Sequence, residues 1–197
     1  MAQIDYFMVT ISPYTYLAGL ELEEIAARHG AQVVYRPFAL GKVFEATGTL
    51  PPPQRHPSRQ AYRLKDLARC AAASGLPINV TPRYWPVNPV PSCAAVIAAQ
   101  EAGQGDVGAL AHGLLAACWA EERDISDEAE VKACMSAAGV DPSLLDSRLL
   151  ASVEQFERNT ALALEKGVFG APSYVVGDEL FWGHDRLGQL DAHLAAL

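Results

Sequence analysis

Residues 3–11 are apolar on both faces of an extended chain: Ile4, Tyr6 and Met8 alternate with Phe7, Val9 and Ile11. A strand with two apolar faces must lie between two layers, as the buried strands of α/β proteins do. Ser12-Pro13 follows directly. A serine hydroxyl accepts from the free N–H groups of a first helical turn, and proline fits the first helical position, where its missing N–H costs nothing. The sequence therefore predicts a helix from Ser12, with Leu17, Leu20, Leu22 and Ile25 as its apolar face and Gly30 as its stop. A second strand is predicted over residues 32–38. Such a β-α-β opening implies a parallel pair joined by a right-handed crossover.

The middle of the chain changes character. A proline-rich loop spans residues 48–57, and from 58 to about 164 the pattern is helical, broken near 75–91, 102–108, 124–126 and 139–142. The end returns to α/β: a helix over 153–166 stopped by Gly167, strands over 173–176 and 180–182, and a last helix from Asp185, its predicted N-cap. In that helix Leu187, Leu190, Leu194 and Leu197 fall on one stripe. With the helical stretch removed, the order is β-α-β-α-β-β-α, which is thioredoxin-like. The predicted fold class is thus α/β, a thioredoxin-like fold with an all-helical insertion. Its discontinuous thioredoxin-like domain would be residues 1–40 and 153–197, and the insertion residues 41–152.

In redox proteins of thioredoxin-like order, the first strand–helix junction carries Cys-Pro-x-Cys, and the helix N-terminus stabilises a thiolate. Here the junction reads Ser12-Pro13-Tyr14-Thr15, with hydroxyls in place of both sulfurs. Dithiol chemistry cannot run at this motif, so a thiol would have to come from outside. Gly170-Ala171-Pro172-Ser173 precedes the third strand. Thioredoxin-like proteins carry a cis-proline there, and the residue before it offers its backbone N–H and C=O to an extended peptide.

Charge adds a third clue. The chain is acidic, with a net charge of −8, which argues against a nucleic-acid binder. Yet residues 31–90 hold Arg36, Lys42, Arg55, Arg59, Arg63, Lys65, Arg69 and Arg83 against only Glu45 and Asp66, a net +6. A basic third in an acidic protein is consistent with a local anion site, and equally with a solvated helix face. Pro82-Arg83-Tyr84-Trp85-Pro86-Val87-Asn88-Pro89 is rich in rigid aromatic and proline residues; it could wall a flat substrate, with Arg83 as carboxylate partner, or be a well-packed loop.

Ser12-Pro13-Tyr14-Thr15-Tyr16-Leu17, Val168-Phe169-Gly170-Ala171-Pro172 and Gly183-His184-Asp185-Arg186-Leu187 together resemble the 2-hydroxychromene-2-carboxylate isomerase family, which is related to the kappa-class glutathione transferases and, more distantly, to disulfide oxidoreductases. The likeness runs over nearly the whole chain. It implies glutathione as cofactor, with its sulfur at the catalytic Ser12 hydroxyl, main-chain contacts at Ala171 beside cis-Pro172, and its γ-glutamyl end at Gly183, His184 and Asp185. It also implies a cation at Arg59, where relatives more often carry Lys, and a contact at Thr49, where they usually carry Asn. His184 stands where Asn or Ser is usual. Tyr14, Lys42, Arg83, Tyr84 and Trp85 are the candidate substrate residues. The implied activity is conversion of a 2-hydroxychromene-2-carboxylate to the trans-o-hydroxybenzylidenepyruvate by reversible thiolate addition. The alternatives are a kappa-like transferase or peroxidase, and a non-enzymatic binding module.

The resemblance further implies a homodimer acting on a small aromatic carboxylate. Met1–Asp5 has no basic head, so a cytoplasmic location is expected, and no stretch approaches the roughly 18–20 apolar residues of a membrane helix. Cys70, Cys93, Cys118 and Cys134 form no Cys-x-x-Cys and no metal-ligand spacing, and read as small buried hydrophobes; no metal is expected. Gly103-Gln104-Gly105-Asp106-Val107-Gly108 satisfies Gly-x-Gly-x-x-Gly, but an alanine-rich helical run precedes it instead of a strand, so it reads as an interhelical turn.

Overall fold

The computed structural model describes all 197 residues. Four strands, β1 (Gln3–Met8), β2 (Gln32–Pro37), β3 (Ser173–Val176) and β4 (Glu179–Trp182), form one mixed sheet in the order β2-β1-β3-β4. β1 and β2 run parallel, Gln3 opposite Gln32 through Met8 opposite Pro37. β3 lies antiparallel to β1 and β4 antiparallel to β3. The predicted parallel pair and the C-terminal hairpin are both present, and the α/β thioredoxin-like class with its helical insertion holds.

The two apolar faces of β1 find two cores. Ile4, Tyr6 and Met8 join the main core, which continues without a break into the helical stretch through Ala94, Leu110, Leu114 and Trp119. Phe7 packs on the other side with Phe38, Val43, Ala163 and Val175. Each large buried side chain of this kind contributes roughly 1.5–3 kcal/mol of transfer free energy. Asp5, on the same strand, is neutralised by Arg36 at 2.8 Å.

Six helices cover the middle: α4 (Pro57–Ser74), α5 (Val90–Ala102), α6 (Val107–Trp119), α7 (Glu128–Ala137), α8 (Ser143–Ser147) and α9 (Leu149–Glu165). The predicted breaks fall between them. Residues 103–106 join α5 to α6, so the glycine-rich stretch is an interhelical turn, with Asp106 capping α6 through the Ala109 N–H at 2.9 Å. α3 (Leu40–Thr47) follows β2 with no capping side chain, which is why its start leaves no mark in the sequence. Cys93, Cys118 and Cys134 are buried, but Cys70 is only partly so. No helix is long and apolar enough to cross a membrane.

Two expectations need correction. The helix after Ser12 is not continuous: α1 (Pro13–Leu17) ends after five residues, Gly19 adopts φ +61°, and α2 (Glu21–His29) starts afresh. The left-handed turn at Gly19 re-aims the chain. Asp185 does not cap the last helix. A 3-10 turn over His184–Arg186 intervenes before α10 (Leu187–Leu194), and the Asp185 carboxylate pairs instead with Arg186 at 2.5 Å.

Candidate active site

Ser12 is fixed at the end of β1 by its own N–H, which donates to the Val9 carbonyl at 3.0 Å. Its hydroxyl oxygen accepts from the Thr15 N–H at 3.2 Å, the predicted cap. The same hydroxyl donates to the Ala171 carbonyl at 3.4 Å. The Ala171–Pro172 bond is cis. Ala171 is half-buried and precedes β3, so its N–H lies outside the sheet ladder and has no partner in the protein. Ser12 thus faces a main-chain edge with an unpaired donor and a weakly used acceptor. Because α1 is short and Ser12 already occupies one N–H of its first turn, the free Tyr14 N–H matters more than any long-helix dipole.

The end of β4 closes a second wall. The Gly183 N–H donates to the Pro172 carbonyl at 2.9 Å. Gly183 has φ +118°, and a Cβ there would come 2.6 Å from the Asp185 carboxylate. This turn brings His184 against Tyr14, ring centroids 5.4 Å apart. Burial holds the His184 imidazole below the usual histidine range, against the pull of Asp185 and Asp66. The Tyr14 hydroxyl donates to Asp66 on α4 at 2.9 Å, and burial together with that bond pushes the phenol pKa up, so it stays protonated.

The third wall is the aromatic loop. The Trp85 Nε1–H donates to the Ile11 carbonyl at 2.9 Å, one residue before Ser12. Trp85 packs on Trp119 with centroids 5.6 Å apart, and the Arg63 guanidinium sits 4.9 Å above the Trp85 ring. Burial lowers the Arg63 pKa from its ordinary value, and Arg55 adds to the shift.

Of the sequence-derived candidates, Ser12, Tyr14, Trp85, Ala171, Pro172, Gly183 and His184 are joined by these contacts. The others lie outside this group of contacts. Lys42 pairs with Glu157 of α9 at 2.6 Å. Thr49 hydrogen-bonds Thr47 at 3.2 Å past the end of α3. Arg83 is exposed and stacks over its neighbour Tyr84 at 5.3 Å. Asp185 is held by Arg186, and Arg59 is exposed on α4, one turn before Arg63. Asp66, Arg63 and Trp119 were not singled out by the sequence, although Arg55, Arg59 and Arg63 repeat at helical i, i+4, i+8 spacing.

Residues 3–195 match the family model of the DSBA-like thioredoxin domain. The chain belongs to that family. Within it, the chain is 31% identical to a 2-hydroxychromene-2-carboxylate isomerase of Sphingobium xenophagum, over 97% of each chain. A solved structure of a 2-hydroxychromene-2-carboxylate isomerase superposes with a TM-score of 0.82 at 26% identity, covering 98% of this chain and 95% of that one. Glutathione S-transferase kappa 1 of Caenorhabditis elegans is 24% identical over 100% of this chain and 90% of its own. The resemblance carried by the Ser12–Leu17, Val168–Pro172 and Gly183–Leu187 stretches therefore holds. In this member of the DSBA-like family both motif positions bear hydroxyls, and the Thr15 hydroxyl is buried without a hydrogen-bond partner.

Proposed function

We propose that the chain is a cytoplasmic, homodimeric, glutathione-dependent isomerase that converts a 2-hydroxychromene-2-carboxylate-type acid to its trans-o-hydroxybenzylidenepyruvate. The observation that carries this reading is the Ser12 hydroxyl beside the unpaired N–H and weakly used carbonyl of Ala171, next to cis-Pro172. The names of the relatives support it: two are isomerases of that acid and one is a glutathione transferase.

The residues present fit glutathione. An extended cysteinyl unit needs one main-chain acceptor and one donor, and the Ala171 N–H and C=O supply both in miniature strand addition. Ser12 would meet the sulfur. His184 and Asp185 would meet the γ-glutamyl end, and Arg59 and Thr49 its other polar groups. Bound glutathione supplies a thiol nucleophile, whose reversible addition leaves a conjugated double bond single and free to rotate.

The chain's own work is orientation and charge. The Ser12 O–H bond to Ala171 is long, so its hydrogen can turn to a better acceptor at little cost. Together with the free Tyr14 N–H it would hold negative charge on sulfur and lower the thiol pKa. Trp85 carries the Arg63 guanidinium over its ring beside the motif, and Tyr14, kept protonated, offers a polar edge. Lys42, Arg83 and Tyr84 would take part only as outer contacts to an anionic substrate.

The test is turnover of the chromene acid with and without glutathione. Turnover that needs glutathione is the expected result. Equal rates without it, or none with it, would overturn the reading.

A further inference from the structure

The basic segment is unusual in how its charge is spent. Of the fifteen Lys and Arg residues, seven have no carboxylate within ion-pair distance: Arg55, Arg59, Arg63, Lys65, Arg69, Arg83 and Lys166. All but Lys166 lie between residues 55 and 83. Four of these six are exposed and solvated; Arg55 and Arg63 are partly buried. Arg55 donates to the Leu50 carbonyl at 2.8 Å, and Lys166 to the Gly177 carbonyl at 3.3 Å. Arg63 is left as the partly buried cation with neither an anion nor a hydrogen-bond acceptor in the protein.

Its setting says what it lacks. The guanidinium lies over Trp85 at 4.9 Å and near Trp119 at 5.9 Å. A cation held over a ring face spends no N–H···O bond there, so the donors of its fork stay free for an anion. A fork with free donors, removed from bulk water, matches a carboxylate bidentately. Asp66, on the same helix, accepts from the Tyr14 hydroxyl and makes no ion pair with Arg63. The Trp119 indole N–H is itself buried without an acceptor. Through Trp85 and Ile11 this group connects directly to the Ser12 motif.

We propose that Arg63, stacked on Trp85, is the anchor for the carboxylate of a planar aromatic acid, a role that neither Arg83 nor Lys42 is placed to fill. It rests on the isomerase reading for the identity of the acid, and on the unspent guanidinium alone for the site. The site selects a carboxylate and discriminates against esters and amides of the same acid.

The experiment is a titration followed by tryptophan fluorescence, in the absence of glutathione, with chromone-2-carboxylate and its carboxamide as paired probes. The full-length protein is expected to bind the acid at least tenfold more tightly than the amide. Arg63→Gln is expected to bind the two alike, and Lys65→Gln to keep the preference. Arg63→Lys keeps the charge without the fork and is expected to lose at least threefold of the preference, which preserves the test should the Gln variant fold poorly. A preference retained in Arg63→Gln, absent from the unmodified chain, lost equally in Lys65→Gln, or untouched in Arg63→Lys would each overturn the proposal. Because no turnover and no thiol enter the titration, failure of glutathione dependence leaves its result intact.

Discussion

The Ser12 hydroxyl donates to the Ala171 carbonyl at 3.4 Å, across 159 residues of chain. That contact ties the first strand–helix junction to the cis-proline loop, and it does so with one weak bond. The same oxygen accepts from the Thr15 N–H at 3.2 Å. Ser12 therefore has a structural duty in α1, and its one hydrogen is held only by a long bond to the Ala171 carbonyl.

The two duties separate in Ser12→Ala. Loss of the cap is expected to cost about 1 kcal/mol, or about 2–4 °C in melting temperature for a chain of this size. Loss of the hydrogen facing sulfur is expected to lower glutathione-dependent turnover about a hundredfold and to raise the pKa of bound glutathione, read by thiolate absorbance in the ultraviolet. A variant that melts lower but turns over at the full rate would leave Ser12 as a cap alone.

Gly170 is predicted to tolerate no side chain without moving Trp182. A Cβ there would lie 2.4 Å from Trp182 Nε1, and the Trp182 ring packs edge-on against Phe169 at 4.7 Å. Because Trp182 is half-exposed, the ring can swing outward, so Gly170→Ala is expected to cost about 1–3 kcal/mol and not to abolish folding. Red-shifted tryptophan emission with a modest drop in urea midpoint is the expected signature. Unchanged emission would mean that the loop before cis-Pro172 moves instead.

Much of this architecture was legible because strands betray themselves by alternation and helices by stops. β3 lies at the predicted residues, and Gly30, Gly103 and Gly167 end or follow their helices with positive φ. The break at Gly19 was not legible, because Leu17, Leu20, Leu22 and Ile25 keep helical spacing across it while Leu20 is in fact exposed. The Asp185 cap failed for a related reason. A 3-10 turn shifted the helix start by two residues, and local charge pairing with Arg186 took the carboxylate. In the site, Ser12, Ala171 and Pro172 could be read from a local motif. Asp66 and Arg63 could not, because their meaning comes from Tyr14 and Trp85, 52 and 22 residues away in sequence.

Tyr14 and Asp66 are predicted to be coupled. The phenol donates to a carboxylate at a half-shielded position, a charge-assisted bond that tertiary structure alone brings together. In a double-mutant cycle of Tyr14→Phe and Asp66→Ala, the interaction energy is expected on the order of 1–2 kcal/mol. Urea unfolding of the four proteins measures it. Strict additivity would show that the bond contributes nothing net.

Glu23 supplies a pH signature outside the Ser12 site. On α2, its carboxylate accepts a short hydrogen bond from the Tyr35 hydroxyl on β2, while its second oxygen is buried with no partner. Burial raises the carboxyl pKa above the usual range; the Tyr35 bond opposes this, and Asp106 and Glu24 add to it. A carboxyl whose pKa is higher in the folded than in the unfolded chain binds protons preferentially on folding. Its stabilising contribution is fully present below the unfolded carboxyl pKa and is lost as pH rises through the folded value. The stability of the unmodified chain relative to Glu23→Gln is therefore expected to grow as pH falls from 7.5 toward 4.5, and to level off below. Taking the difference between the two proteins cancels the other titrating groups, including His112 and His184, whose imidazoles burial shifts downward. Urea midpoints at a series of pH values measure the trend. A flat difference, or one that shrinks on acidification, would show that Glu23 is well solvated and that the Tyr35 contact does not hold it in a shielded position.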